Sequence, residues 1–195
     1  MPFDAMDDLP DDALLARFAT GDAVAARVLT LRLTPRVMAH AFRLLGNRAE
    51  AEDVAQEAML RLWRQAPDWR SGEAKVTTWL YRVVANLCID RRRRARGGAV
   101  PLDAIPEPED GQASAAERIQ DRARVDALQA ALDLLPDRQR QAVVLRHIDG
   151  LPNPEIAEIM DVTVEAVESL TSRGKRALAA QLAGRQEELG YADEQ

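Results

Sequence analysis

Apolar side chains recur at a helical period through almost the whole chain, and one Pro- and Gly-rich gap interrupts them. Between residues 48 and 66 they fall at 51, 54, 55, 58, 59 and 62, a single helix face. Between 76 and 94, Val76, Trp79, Leu80, Val83, Val84, Leu87 and Cys88 make a second stripe. The gap runs from Gly97 to Ala113, GGAVPLDAIPEPEDGQA, with three Gly, three Pro and four acids and no sustained period. It reads as a linker or extended loop. Aromatics are only 4% of the chain, while Ala, Leu, Arg and Glu abound, a balance that favours helices over β-sandwiches or barrels. The fold class expected is all-α: two small helical domains joined by a flexible linker.

The helices can be bounded from punctuation. Residues 11–20 form a short helix opened by acids. Residues 22–33 form a second, capped by Asp22. Pro35 suits the first turn of a third, which runs to Leu45 and stops at Gly46-Asn47. Helices over 48–66 and 76–94 follow, separated by a loop holding Pro67 and Gly72. After the gap, 114–134 is helical and Pro136 breaks it. The next helix starts near Asp137 and ends near Asp149-Gly150. From Pro152 to Leu182 the sequence reads helix, short turn, helix: Ile156, Ala157 and Ile159 pack the first, Val162 fills the turn, Thr163 caps the second, and Val167, Leu170, Ala177 and Leu178 pack it. That spacing fits a helix-turn-helix offered to the DNA major groove, or a helical hairpin in a bundle.

Charge is distributed unevenly. The formal net charge is −6, which at face value argues against nucleic acid. Yet residues 31–96 carry 14 basic against 7 acidic side chains, net +7, ending in Arg91, Arg92, Arg93, Arg94 and Arg96. Such a run is either a solvated helix end or a phosphate-contacting patch. The single Cys88 excludes an intramolecular disulfide framework, and with two histidines a Cys/His metal site is not expected. No apolar run approaches the roughly 18 residues of a membrane span, and the acidic N-terminus is unlike a targeting peptide. A cytoplasmic protein without membrane insertion is expected. No phosphate-binding Gly loop or nucleophile-with-base motif is legible, so neither catalysis nor a cofactor is expected.

Three segments resemble one family. AEAEDVAQEAMLRLWRQA, from 49 to 66, resembles the core-binding helix of bacterial RNA polymerase sigma factors. KVTTWLYRVVANLCIDRRRR, from 75 to 94, resembles the adjoining helix that melts and reads the −10 element. LPDRQRQAVVLRHIDGLPNPEIAEIMDVTVEAVESLTSRGKRAL, from 135 to 178, resembles the −35-reading domain. In this order and spacing they resemble an extracytoplasmic-function (group IV) sigma factor over about residues 10–183. The resemblance implies sigma domain 2 over 1–96, a linker and the start of a helix over 97–124, sigma domain 4 over 125–185, and an acidic tail over 186–195.

The resemblance also implies site residues. Asp53, Gln56, Glu57 and Leu60 would dock on the coiled coil of the polymerase β′ subunit. Trp79, Arg82 and Asn86 would serve an unstacked −10 strand, with Asn86 in a pocket for a flipped base. An aromatic, a cation and an amide supply stacking, a phosphate contact and base-edge hydrogen bonds. Trp79 also lies on the apolar stripe, which favours packing over a strand contact. Arg91, Arg92, Arg93 and Arg94 would hold phosphates. Thr163, Glu165, Ser169, Ser172, Arg173, Lys175 and Arg176 would face the −35 duplex.

Partners implied are polymerase core (β′ coiled coil and β flap), promoter DNA and an anti-sigma factor. The sequence departs from the family at Glu168-Ser169-Leu170, where Lys-Ser-Arg is common. It departs again at Ala85, where Arg is common before the Asn, and at Asp161, where the turn usually has Gly. Read from the residues alone, a stand-alone helix-turn-helix regulator and a helical protein-binding adaptor remain open.

Overall fold

The computed structural model describes residues 6, 8–70, 72, 74–96 and 115–183. Among these, all regular structure is helical. The N-terminal unit contains α1 (Asp11–Ala19), α2 (Ala23–Leu45), α3 (Arg48–Gln65) and α4 (Val76–Arg96). The C-terminal unit contains α5 (Ala115–Asp133), α6 (Asp137–Val143), α7 (Asn153–Met160) and α8 (Val164–Leu182). The linker expected at 97–113 and the tail at 186–195 lie outside the described residues.

Local chemistry sets the boundaries. Asp22 accepts hydrogen bonds from the amides of Val24 and Ala25 and opens α2. Gly46, at φ 70°, closes it in the left-handed conformation. Asn47 does not extend that stop; its side chain takes the Glu50 amide and starts α3.

One expectation fails. No break separates residues 22–33 from a third helix at Pro35; α2 is continuous, with Pro35 inside it. Leu29, Leu33, Val37 and Ala41 form one stripe across the proline, each no more than 2% exposed. Burying each large side chain is worth about 1.5–3 kcal/mol, against about 3 kcal/mol for an interior proline. The stripe therefore outweighs the lost backbone bond.

Helix α2 packs against α1, α3 and α4. Phe18 and Trp63 meet with ring centroids 4.6 Å apart. Cys88 lies in this core, 1% exposed. Burial pushes its thiol up to about 12.

The two units are not separate bodies. Leu132, Leu135, Val143 and Val144 belong to the same apolar core as Leu44, Leu45 and Leu80. Conversely Tyr81 of α4 belongs to the smaller core made by Leu145, Ile156, Ala157, Ile159, Met160 and Val167.

Polar groups close the seam. Arg140, 1% exposed, gives hydrogen bonds to the carbonyls of Leu132, Asp133 and Leu135 at the end of α5 and of Leu44 at the end of α2. A cation between two helix C-termini is favoured by both dipoles. Arg92 reaches Asp137 at 3.0 Å and the Leu44 carbonyl at 3.2 Å. After α6 the chain widens into a π turn over Val144–Ile148. It ends at Asp149, whose carboxylate accepts from Nδ1 of the fully buried His40 at 2.6 Å. Gly46, whose φ of 70° favours glycine, lies beside the Asp133 carboxylate, 2.6 Å from where a Cβ would stand.

Candidate nucleic-acid and partner interfaces

Helix α3 turns Val54, Ala55, Ala58, Met59 and Leu62 inward. By the helical period, Asp53, Gln56, Glu57 and Leu60 then form its outer ridge. All four lie there, with Leu60 48% exposed. A groove lies on each side. Toward α2 it measures about 490 Å³ and is lined by Met38, Met59, Trp63 and the flanks of Gln56 and Leu60. Toward α4 it measures about 410 Å³ and is lined by Asp53, Glu57, Leu87, Asp90, Arg91 and Arg94. Arg61 bonds Glu57 at 2.9 Å and holds its carboxyl below the usual range, so the ridge carries a fixed anion. Leu31 of α2 is also exposed, at 58%, and the sequence reading passed over it.

Helix α4 presents Arg82 and Asn86 to the outside. Trp79 is partly buried against the core and meets Trp69 edge to face at 6.1 Å, with the rings at 90°. It therefore packs, and its loop partner Trp69 was not singled out from sequence because no periodic pattern marks the loop. The arginines at the end of α4 divide their attention. Arg91 reaches Asp53 at 3.4 Å and the Glu50 carbonyl at 3.2 Å. Arg92 lies in the seam between the units, and Arg93 pairs with Asp90 one turn back at 3.2 Å. Arg94 is exposed. In this arrangement they do not form one free basic patch.

Helix α7 packs against the N-terminal half of α4. Lys75 bonds Glu155 at 2.9 Å, and Thr78 donates its hydroxyl to the same carboxylate at 2.8 Å. Glu155 raises the Lys75 ammonium above its ordinary range. Arg82 gives its guanidinium to the main-chain carbonyl of Glu158. Lys75, Thr78 and Glu155 had no place among the residues singled out from sequence, since contacts between residues 77 and 80 positions apart leave no local pattern.

Helices α7 and α8 form the helix-turn-helix. Asp161 ends α7 at φ 52°, the left-handed conformation that Asp tolerates. The Thr163 hydroxyl accepts the Ala166 amide at 3.3 Å and caps α8. The Glu165 carboxyl is held low by its own amide and the Thr163 hydroxyl. Val167 is fully buried, and Gly174 lets α8 lie close on α6. Thr163, Glu165, Ser169, Ser172, Arg173, Lys175 and Arg176 are all exposed. Arg173 folds back onto Ser169, with its guanidinium 2.9 Å from the hydroxyl. A helix presenting hydroxyls and cations this way suits phosphates and base edges.

Among the described residues no cluster of His, Cys, Asp or Glu is placed to hold a metal ion. No described helix is long and apolar enough to cross a membrane.

Known proteins share both units. Residues 29–97 match the family Sigma-70 region 2, and residues 126–178 match Sigma-70, region 4. The chain is 37% identical over 172 residues to the ECF RNA polymerase sigma factor SigE of Mycolicibacterium smegmatis, covering 85% of this chain and 65% of that protein. It is 35% identical over 151 residues to SigW of Bacillus subtilis, covering 72% of this chain and 80% of that one.

Two solved structures are similar. CnrH, in complex with the cytosolic domain of CnrY, matches with a TM-score of 0.66 and 26% identity over 89% of this chain and 97% of that one. The sigma factor RpoE of Bartonella quintana, in complex with the anti-sigma factor NepR, matches with a TM-score of 0.63 at 22% identity over 79% and 94%, a likeness of fold. Two helical units in this order, matched region by region and across most of SigW, establish that the chain belongs to the extracytoplasmic-function sigma factors of bacterial RNA polymerase.

Proposed function

We propose that this protein directs core RNA polymerase to promoters and initiates transcription without chemistry of its own. The α3 ridge docks on the β′ coiled coil, the Asn86 face of α4 takes an unstacked −10 strand, and α8 reads the −35 duplex, with its own unit against the β flap. The observation that carries this reading is the α8 face: all seven residues assigned to the −35 contact point to solvent from a helix that is capped, packed and offered as one surface.

The division of labour follows from charge. The C-terminal unit is acidic for a duplex reader, so polymerase supplies most of the electrostatic attraction. As a partner of polymerase, the protein acts in the cytoplasm in this reading. An anti-sigma factor is the expected regulator. It would cover the α3 ridge and its apolar flank when polymerase is absent.

Run-off transcription tests the reading. A template carrying the promoter upstream of the protein's own gene gives a specific transcript only with both core polymerase and this chain. Absence of transcript with both present counts against it. Capture from lysate should recover polymerase and, separately, a small regulatory protein.

A further inference from the structure

The α8 face is short of positive charge for a duplex reader. Arg173, Lys175 and Arg176 are exposed on this helix, but so are Glu165 and Glu168. A further group that can become cationic stands beside it on another element. His147 is exposed on the π turn that follows α6, next to the exposed Arg146.

The packing of α6 on α8 brings this turn to the DNA-facing helix. Gly174 of α8 lies on Gln139 and Val143 of α6. Gln139, Val143 and His147 stand at steps of four, so the face of α6 that meets α8 runs on toward His147. Lys175 follows Gly174 directly, and its charge is felt at the imidazole. Arg146 gives Nη1 to the Leu151 carbonyl at 3.0 Å, which holds its guanidinium at the entry to α7. Arg146, His147 and Lys175 thus make one cluster at the edge of the helix-turn-helix.

The other charged groups around the turn are engaged elsewhere. Asp149 accepts from His40 of α2 at 2.6 Å. Glu155 and Glu158 of α7 act on Lys75 of α4. Arg138 of α6 gives to the Met160 carbonyl, and Arg140 is buried in the seam. The charges that act on His147 are therefore cations. Partial burial, then Lys175 and Arg146, hold its imidazole below the ordinary range, so it is neutral near pH 7 in the free chain. A phosphate reverses the sign of that field and favours the imidazolium.

We propose that His147 is a proton-gated contact to the backbone of the −35 duplex: a phosphate drawn to Arg146 and Lys175 meets the imidazole, which takes one proton from solvent and closes the contact as a cation. This rests on the reading of α8 as the −35 helix. It adds to that interface a residue outside α8, and it makes promoter affinity rise as the pH falls.

The test uses holoenzyme assembled from core polymerase and the full chain. It is titrated onto a fluorescein-labelled duplex carrying the promoter upstream of the protein's own gene, at low temperature so that the strands stay paired. Anisotropy is read at pH 6 and pH 8 and at several salt concentrations. Comparing wild type with His147→Gln at each pH removes the pH dependence of polymerase itself. At pH 6 wild type should bind about fivefold tighter than His147→Gln, the size of one exposed ion pair. Its slope of log affinity against log salt should be steeper by about 0.9, one duplex phosphate. At pH 8 the two should converge. His147→Arg carries a permanent charge and should keep the gain at both pH values. The side chain is exposed, so all three proteins should melt alike. Arg173→Ala should weaken binding at both pH values and leave the effect of pH in place.

Equal affinity of wild type and His147→Gln at pH 6, or a difference of the same size at pH 8, overturns the proposal. If Arg173→Ala still weakens binding in that case, the −35 reading of α8 stands without it. If neither Arg173→Ala nor His147→Gln changes the affinity, both fall together.

Discussion

Arg140 is 1% exposed, and its guanidinium meets carbonyls from the ends of two helices, one in each unit. Arg140→Met keeps the length of the side chain but removes the donors, leaving helix-end carbonyls unpaired in a dry seam. Urea unfolding should show a loss of about 3 kcal/mol.

Asn86 is the opposite case. It is exposed and supports nothing around it, so Asn86→Ala should leave the unfolding midpoint within about 0.5 kcal/mol of wild type. Run-off transcription should fall sharply.

Cys88 and Tyr81 are both pushed up to about 12, chiefly by burial. In the unfolded chain they ionise near their ordinary values of 9.0 and 10.0. Between about pH 9 and 12 the unfolded state therefore holds fewer protons than the native one, and stability falls as pH rises. Urea midpoints taken from pH 8 upward should be level at first and then decline, and Cys88→Ala should flatten part of the decline.

Among the elements, α8 depends on one small residue. A Cβ at Gly174 would meet Val143 Cγ2 at 2.5 Å and the Gln139 carbonyl at 3.2 Å. Gly174→Ala should destabilise the C-terminal unit by about 1–3 kcal/mol, the usual cost of overpacking. Thermal melts followed by circular dichroism would measure it.

Helix α3 makes the complementary point. Leu60 is half exposed on its outer ridge, so Leu60→Asp should abolish co-elution with polymerase while the melt is unchanged.

These elements were legible in the chain to different degrees. The α3 and α4 stripes, the Asp22 and Thr163 caps and the Asp161 turn follow from local spacing and side-chain chemistry, which sequence carries directly. Pro35 misled because a proline rule is local, whereas the Leu29–Ala41 stripe that overrides it is tertiary. Arg91 and Arg92 read as free cations in a basic run. Their partners, Asp53 and Asp137, lie 38 and 45 residues away, and no period links such pairs.

At the scale of the whole molecule, the net charge of −6 conceals a division. Residues 31–96 are net positive, and the acids of α7 lie against them. The two-unit pattern was legible because a Pro- and Gly-rich stretch separates two helical runs. The closure was not, because it depends on Gly46, His40 and Arg140 meeting Asp133, Asp149 and Leu44 across the fold.

The measurement that tests the central claim most directly is permanganate footprinting of the promoter upstream of the protein's own gene. Unpaired thymines in the −10 region should react only when this chain and core polymerase are both present, and Asn86→Ala should weaken the signal without displacing polymerase from the chain. No reactivity with both present, or an equal footprint from this chain alone, would contradict the account.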